Sequence, residues 1–135
     1  MELGTYLFFN GQCREAFQFY EKALAGKIEL MMTYGESPEK DPKCTPEDLA
    51  RIMHVRLKVG NYSLMASDSP PEHYQKPQGF SVSYAVDNKT EAERVFKALS
   101  ENGMVILPLG KTFWAEAFGM CVDRFGIHWM VNCEH

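Results

Sequence analysis

An internal repeat constrains this chain more than any other feature. The segment Arg14-Glu15-Ala16-Phe17-Gln18-Phe19-Tyr20-Glu21-Lys22-Ala23-Leu24 recurs as Thr90-Glu91-Ala92-Glu93-Arg94-Val95-Phe96-Lys97-Ala98-Leu99, the paired alanines lying 92 − 16 = 76 residues apart. Each copy follows an apolar run suited to a strand, Tyr6-Leu7-Phe8-Phe9 in one case and Phe80-Ser81-Val82-Ser83-Tyr84-Ala85-Val86 in the other. A strand and helix recurring once per half predicts two similar modules in one chain, with a cleft between or within them.

Periodicity extends this reading along the chain. Leu3–Phe9 is expected as a strand, closed by Asn10-Gly11, which offers capping for a helix over Cys13–Ala25. Ala16, Phe19, Tyr20, Ala23 and Leu24 make a single apolar stripe on that helix, and Gly26 is placed to end it. Ile28–Tyr34 follows as a strand, then a polar loop with prolines at 38, 42 and 46. Ile52–Val59 and Tyr62–Ser67 form a hairpin around Gly60-Asn61, with Val55, Leu57 and Val59 alternating against His54, Arg56 and Lys58. In the second half Phe80–Val86 is a strand and Thr90–Ser100 a helix burying Ala92, Val95, Phe96 and Leu99, stopped by Asn102-Gly103. Strands follow at Val105–Leu109, Phe118–Val122 and Ile127–Cys133.

Each half is thus β-α-β-β-β. The expected fold is α+β, with the paired modules forming a curled eight-strand sheet and helices outside. The whole chain, 1–135, is expected as a single domain: module one about 1–68, linker 69–78 and module two about 79–135.

Bulk properties exclude several classes of function. A net charge of −4 with no Lys/Arg cluster gives no electrostatic basis for nucleic-acid binding. No segment has the ~20 apolar residues of a membrane span, and the start of the chain lacks a signal-peptide pattern, so a cytoplasmic location is expected. Cys13, Cys44, Cys121 and Cys133 form no C-x-x-C pair and are expected as reduced thiols; Cys121 and Cys133 either pack or face each other across the last hairpin.

Several segments then carry a family resemblance. They are Asn10-Gly11-Gln12-Cys13-Arg14-Glu15-Ala16, Gly35-Glu36-Ser37-Pro38, Leu64-Met65-Ala66-Ser67-Asp68, Gln78-Gly79-Phe80-Ser81-Val82-Ser83, Thr112-Phe113-Trp114-Ala115-Glu116-Ala117-Phe118-Gly119-Met120 and Asp123-Arg124-Phe125-Gly126-Ile127-His128-Trp129-Met130. Spanning nearly the whole chain, they resemble the PhnB-like (YjdN-like) family of the vicinal-oxygen-chelate superfamily, which includes glyoxalase I, bleomycin-resistance proteins and extradiol dioxygenases. That family also carries the label 3-demethylubiquinone-9 3-methyltransferase. The resemblance implies homodimerisation, and nine phenylalanines, six tyrosines and two tryptophans are compatible with an apolar interface.

Metal enzymes of the superfamily hold a divalent ion with His, Glu or Gln from strands of both modules. By analogy the four positions fall near Thr5, in the strand holding Met65, at Ser81 and near Met130, none of them such a residue. Hydroxyl and thioether groups are poor ligands for zinc, nickel or magnesium, so no metal and no cofactor are expected. Displaced ligands from among His54, Asp68, Glu116 and His128 are the alternative, which would make the protein a divalent-metal-dependent lyase or dioxygenase, but no metal-ligand spacing joins them.

The expected function is binding of a small organic molecule in the cleft, without an assigned catalytic residue. The expected lining is Met65, Ser81, Ser83 and Met130, with Trp114 and Glu116 closing one side by lying on the same side of an extended segment, and His54 at the margin as a base or anion contact. Alternation puts Ser81 and Ser83 opposite Val82, Tyr84 and Val86, and Trp129 beneath a helix. A methyltransferase activity is rejected, since neither strand-to-helix turn, Asn10-Gly11-Gln12-Cys13 nor Asp87-Asn88-Lys89-Thr90, is glycine-rich. A Ser nucleophile is unsupported because no G-x-S-x-G elbow occurs.

Overall fold

The computed structural model describes residues 1–39 and 41–134; Lys40 and His135 lie outside the described residues. The chain forms two compact units, Met1–Tyr74 and Gln75–His135. The fold is α+β, with eight strands in two four-stranded mixed sheets.

In the first unit β1 (Thr5–Phe9), α1 (Cys13–Ala23), β2 (Lys27–Thr33), α2 (Pro46–Ala50), β3 (Ile52–Val59) and β4 (Tyr62–Asp68) form a sheet of order β1-β4-β3-β2. β1 runs parallel to β4, and the other pairs are antiparallel. The second unit repeats this with β5 (Val82–Ala85), α3 (Lys89–Ser100), β6 (Met104–Gly110), β7 (Ala115–Val122) and β8 (His128–Glu134) in the order β5-β8-β7-β6.

One face of each sheet is covered by its helix. α1 buries Cys13, Ala16, Phe17, Tyr20 and Ala23 against β2, β3 and β4. Phe19, expected in the stripe, instead sits half-buried beside Tyr20, and Phe17 takes the central place, edge-on to Phe9 at 6.3 Å. α3 buries the four expected residues, Ala92, Val95, Phe96 and Leu99.

The helix exits depart from the sequence reading in an instructive way. α1 stops at Ala23 rather than Ala25, and Ala25 itself takes the left-handed conformation (φ 52°), as Asn102 does after α3 (φ 59°). The Gly26 amide donates to the Glu21 carbonyl at 3.0 Å and that of Ala25 to Lys22, which is a Schellman closure. Gly26 is needed for space: a Cβ there would lie 2.7 Å from the Lys58 carbonyl oxygen. Gly103 is its counterpart, since a Cβ would overlap the Val122 carbonyl oxygen. The parallel is close, because Lys27 pairs with Lys58 and Met104 pairs with Val122.

α2 falls in the segment expected to be loop. Its signature is local: the Thr45 hydroxyl accepts from the Asp48 amide, the Asp48 carboxylate accepts from the Thr45 amide, and Pro46 opens the helix. β6 is an edge strand whose Met104, Val105, Ile106 and Leu107 are all exposed.

Candidate functional site

Two buried carboxylates organise the structure, and neither is available to a ligand. Asp68, at the end of β4, accepts from the amides of Gly11 (2.8 Å) and Cys13 (3.1 Å) through Oδ1 and from Ile52 (2.9 Å) through Oδ2. It therefore caps α1 from another strand. The expected Asn10-Gly11 cap is not used: the N-cap residue is Gln12, without a side-chain bond, while Asn10 Oδ1 accepts from Arg51. The Tyr34 hydroxyl donates to the Asp68 carbonyl at 2.8 Å. Burial, aided by the nearby Asp68 charge, pushes both the Cys13 thiol and the Tyr34 phenol upward, which keeps Cys13 a protonated, poorly nucleophilic thiol. Asp123, in the β7–β8 turn, accepts from the amides of Phe125 (2.8 Å) and Ile127 (3.0 Å) and from the Trp129 indole (2.8 Å).

The first unit's face turned away from α1 carries two of the sequence-predicted residues. Met65 is half-buried on β4, level with Tyr6 and Arg56. His54 is half-buried on β3, its Nδ1 3.1 Å from the Tyr6 hydroxyl and its ring stacked on Tyr6 at 5.7 Å. Thr5 pairs with buried Leu64, so Tyr6 is the β1 residue that shares a face with Met65. With exposed Phe8 packed on it at 5.2 Å, Tyr6 forms an aromatic platform that the sequence reading missed. Its signal was the alternation of Tyr6 and Phe8 with buried Leu7 and Phe9.

In the second unit, exposed Ser83 pairs with half-buried Met130, and Met130 pairs with Met120 across β8 and β7. Val82 and Tyr84 pair with the buried Trp129 and Val131, so Ser83 and Met130 lie on the face away from α3. Ser81 lies just before β5 and is half-buried.

Trp114 and Glu116 do not share a side. The segment is not extended: Thr112–Ala115 turns, with reciprocal bonds of 3.0 Å from the Thr112 amide to the Ala115 carbonyl and from the Ala115 amide to the Thr112 hydroxyl. A register shift between Ala115 and Ala117 then breaks the alternation at Glu116. Trp114 contacts Phe118 at 5.4 Å, and Phe118 pairs with Asn132 on the face away from α3. Glu116 instead lines an open groove of about 370 Å³ with Lys89, Phe96, Lys97 and Lys111 on the α3 side, its carboxylate 4.0 Å from the Cys133 thiol. The two last-hairpin cysteines do not face each other, since Cys121 pairs with Trp129 and Cys133 with Ala117.

Among the described residues no three His, Cys, Asp or Glu side chains converge as a metal-binding group. The side chains of Thr5, Tyr6, Met65, Ser81 and Met130 are hydroxyls, a phenol and thioethers, which do not fit a divalent ion, and the Asp68 and Asp123 carboxylates are engaged by N–H donors. No helix among the described residues is long and apolar enough to cross a membrane.

Residues 1–132 match the family model described as 3-demethylubiquinone-9 3-methyltransferase. The chain belongs to this family. It is 30% identical over 139 residues to protein YjdN of Escherichia coli strain K12, covering 98% of this chain and 95% of that one. The crystal structure of protein PA1353 from Pseudomonas aeruginosa is 51% identical with a TM-score of 0.90, covering 99% of this chain and 98% of the other. A glyoxylase/bleomycin resistance protein/dioxygenase domain from Frankia sp. EAN1pec shares the fold at a TM-score of 0.67 and 12% identity, covering 100% and 98% of the two chains. The family member thus has the same fold as that domain.

Proposed function

We propose that this family member binds a small organic molecule on the sheet faces turned away from its helices, and does so without a divalent metal. What supports this reading is the donor set: near Thr5 and at Met65, Ser81 and Met130, where the resemblance would put metal ligands, the chain offers hydroxyls, a neighbouring phenol and thioethers and no His, Glu or Gln. What remains is an apolar and aromatic lining with few polar anchors, the composition of a small-molecule site. The residues proposed to bind it are, on the first unit's face, Met65 and His54 and, on the second unit's face, Ser81, Ser83, Met130 and Trp114. Glu116 is set apart from them by its position on the α3 side.

The methyl transfer named in the family description is not part of this reading. Both strand-to-helix turns, where a nucleotide-like cofactor would approach backbone amides, are closed by the protein's own side chains. Asp68 engages the first, and Asn88 Oδ1 accepts from the Glu91 amide at 2.9 Å in the second. A cytoplasmic homodimer is the proposed form, supported by the exposed apolar run of β6.

Two measurements test the proposal. Elemental analysis of protein purified without chelator should find no stoichiometric nickel, zinc, iron or manganese; one equivalent would favour a lyase or dioxygenase with displaced ligands. A metabolite screen by thermal shift should yield a stabilising compound, since a ligand at 100 times its dissociation constant adds about 2.7 kcal/mol. A blank screen would overturn the binding role.

A further inference from the structure

Asn132, on β8, lies on the face turned away from α3, level with Ala85 of β5 and Phe118 of β7. Its Oδ1 is closed to solvent and has no hydrogen-bond partner, which no other buried side-chain nitrogen or oxygen among the described residues shares. A buried acceptor left unpaired is destabilising, and native proteins rarely keep one without a use. Phe118 is level with Asn132 across the strand pair, and Met130 precedes it on the same face. Phe118 is buried and meets Trp114 edge-on at 5.4 Å, Trp114 meets Phe113 at 4.8 Å, and Met130 stands two residues back along the strand beside Ser83.

We propose that Asn132 is the hydrogen-bond anchor of the site, accepting an N–H or O–H from a neutral aromatic ligand. The inference rests on the small-molecule reading above and narrows it to one ligand class. The acceptor fixes the donor on the ligand, since a carbonyl oxygen pairs only with N–H or O–H. Phe118, level with Asn132 on the same face, and Trp114, in contact with Phe118, supply aromatic surface that favours a planar group. The anchor itself is an uncharged amide, which favours a neutral ligand over an anion whose charge it could not compensate.

The test is calorimetric titration with three probes of similar size: benzamide, which donates N–H; methyl benzoate, which does not; and benzoate, which is charged. The wild-type protein should bind benzamide at least tenfold more tightly than either of the others. Asn132→Leu, similar in volume, should bind benzamide and methyl benzoate within twofold of each other and should melt at a higher temperature when free of ligand. Equal affinity for benzamide and methyl benzoate in the wild type, a preference for benzoate, or a preference retained in Asn132→Leu would overturn the anchor while leaving the small-molecule reading in place. The wild-type comparison decides even if the variant does not fold. No binding of any probe would overturn the aromatic class, and only a blank metabolite screen as well would take the broader reading with it.

Discussion

The two buried aspartates do the same chemistry over very different distances. Asp68 accepts from amides 57, 55 and 16 residues away, tying the start of α1 and the start of β3 to the end of β4. Asp123 accepts from amides two and four residues away and an indole six away, so it shapes one turn. Each satisfies donors, most of them buried, that would otherwise lack a partner. The contrast teaches that the same kind of hydrogen bonding need not mean equal structural reach. One carboxylate holds a unit's segments in register, while the other holds a hairpin's shape.

Removing the carboxylates is the strongest way to break that comparison. Asp68→Ala should cost about 4 kcal/mol, since several buried donors lose their partner and α1 loses its cap. Asp123→Ala should cost about 3 kcal/mol, because its donors belong to one turn and the strand that directly follows it, which can adjust locally. Chemical denaturation gives the energies, and amide hydrogen exchange gives the reach. In Asp68→Ala the amides of Gly11, Cys13 and Ile52 should lose protection together; loss confined to residues 11–13 would refute the long-range role.

The helix exits offer a second contrast, of steric origin. Gly103→Ala should destabilise by about 3 kcal/mol and Gly26→Ala by about 2 kcal/mol, because the first Cβ is driven further into a carbonyl oxygen. A reversed order in thermal melts would mean that the two exits relax differently. At the preceding positions the sign flips. Ala25→Gly should stabilise by about 1 kcal/mol by relieving a left-handed alanine, and Asn102→Gly by less, since asparagine tolerates that conformation.

The smallest effect is confined to alkaline solution. Burial, with the Asp123 charge adding to it, pushes the Cys121 thiol from 9.0 up to about 11. The folded state therefore holds this proton more tightly than the unfolded one. Its contribution to stability is fully present below pH 9.0 and is lost as pH rises through about 11. Denaturation midpoints measured across this window should decline less in Cys121→Val than in the wild type.

Where the fold is periodic, the sequence reading and the structure coincide. The β3 bounds Ile52–Val59 and the α3 stripe follow from alternation and from the 3.6-residue period, which local residue types determine. The placing of Ser83 opposite the buried partners of Val82 and Tyr84 follows in the same way. Glu116 could not be placed so, because the extra residue between Ala115 and Ala117 reverses the alternation and leaves no mark in residue type. The capping of α1 was equally hidden. Asn10-Gly11 offered an adjacent cap, and nothing local announces that a carboxylate more than fifty residues away takes the role. Parity could assign Asn132 to a face, but only coordinates reveal that its oxygen lacks a partner.

The bookkeeping of Asp68 and Asp123 also bears on ancestry. The Gly11, Cys13 and Ile52 amides that bind Asp68 lie before Tyr74, and the Phe125 and Ile127 amides and Trp129 indole that bind Asp123 lie after Gln75. A gene cut between those two residues severs neither set. The two scaffolds are self-contained but stand at different places in the repeat, Asp68 at the end of β4 and Asp123 in the turn before β8, so each half carries its own polar framework rather than a copy of the other's.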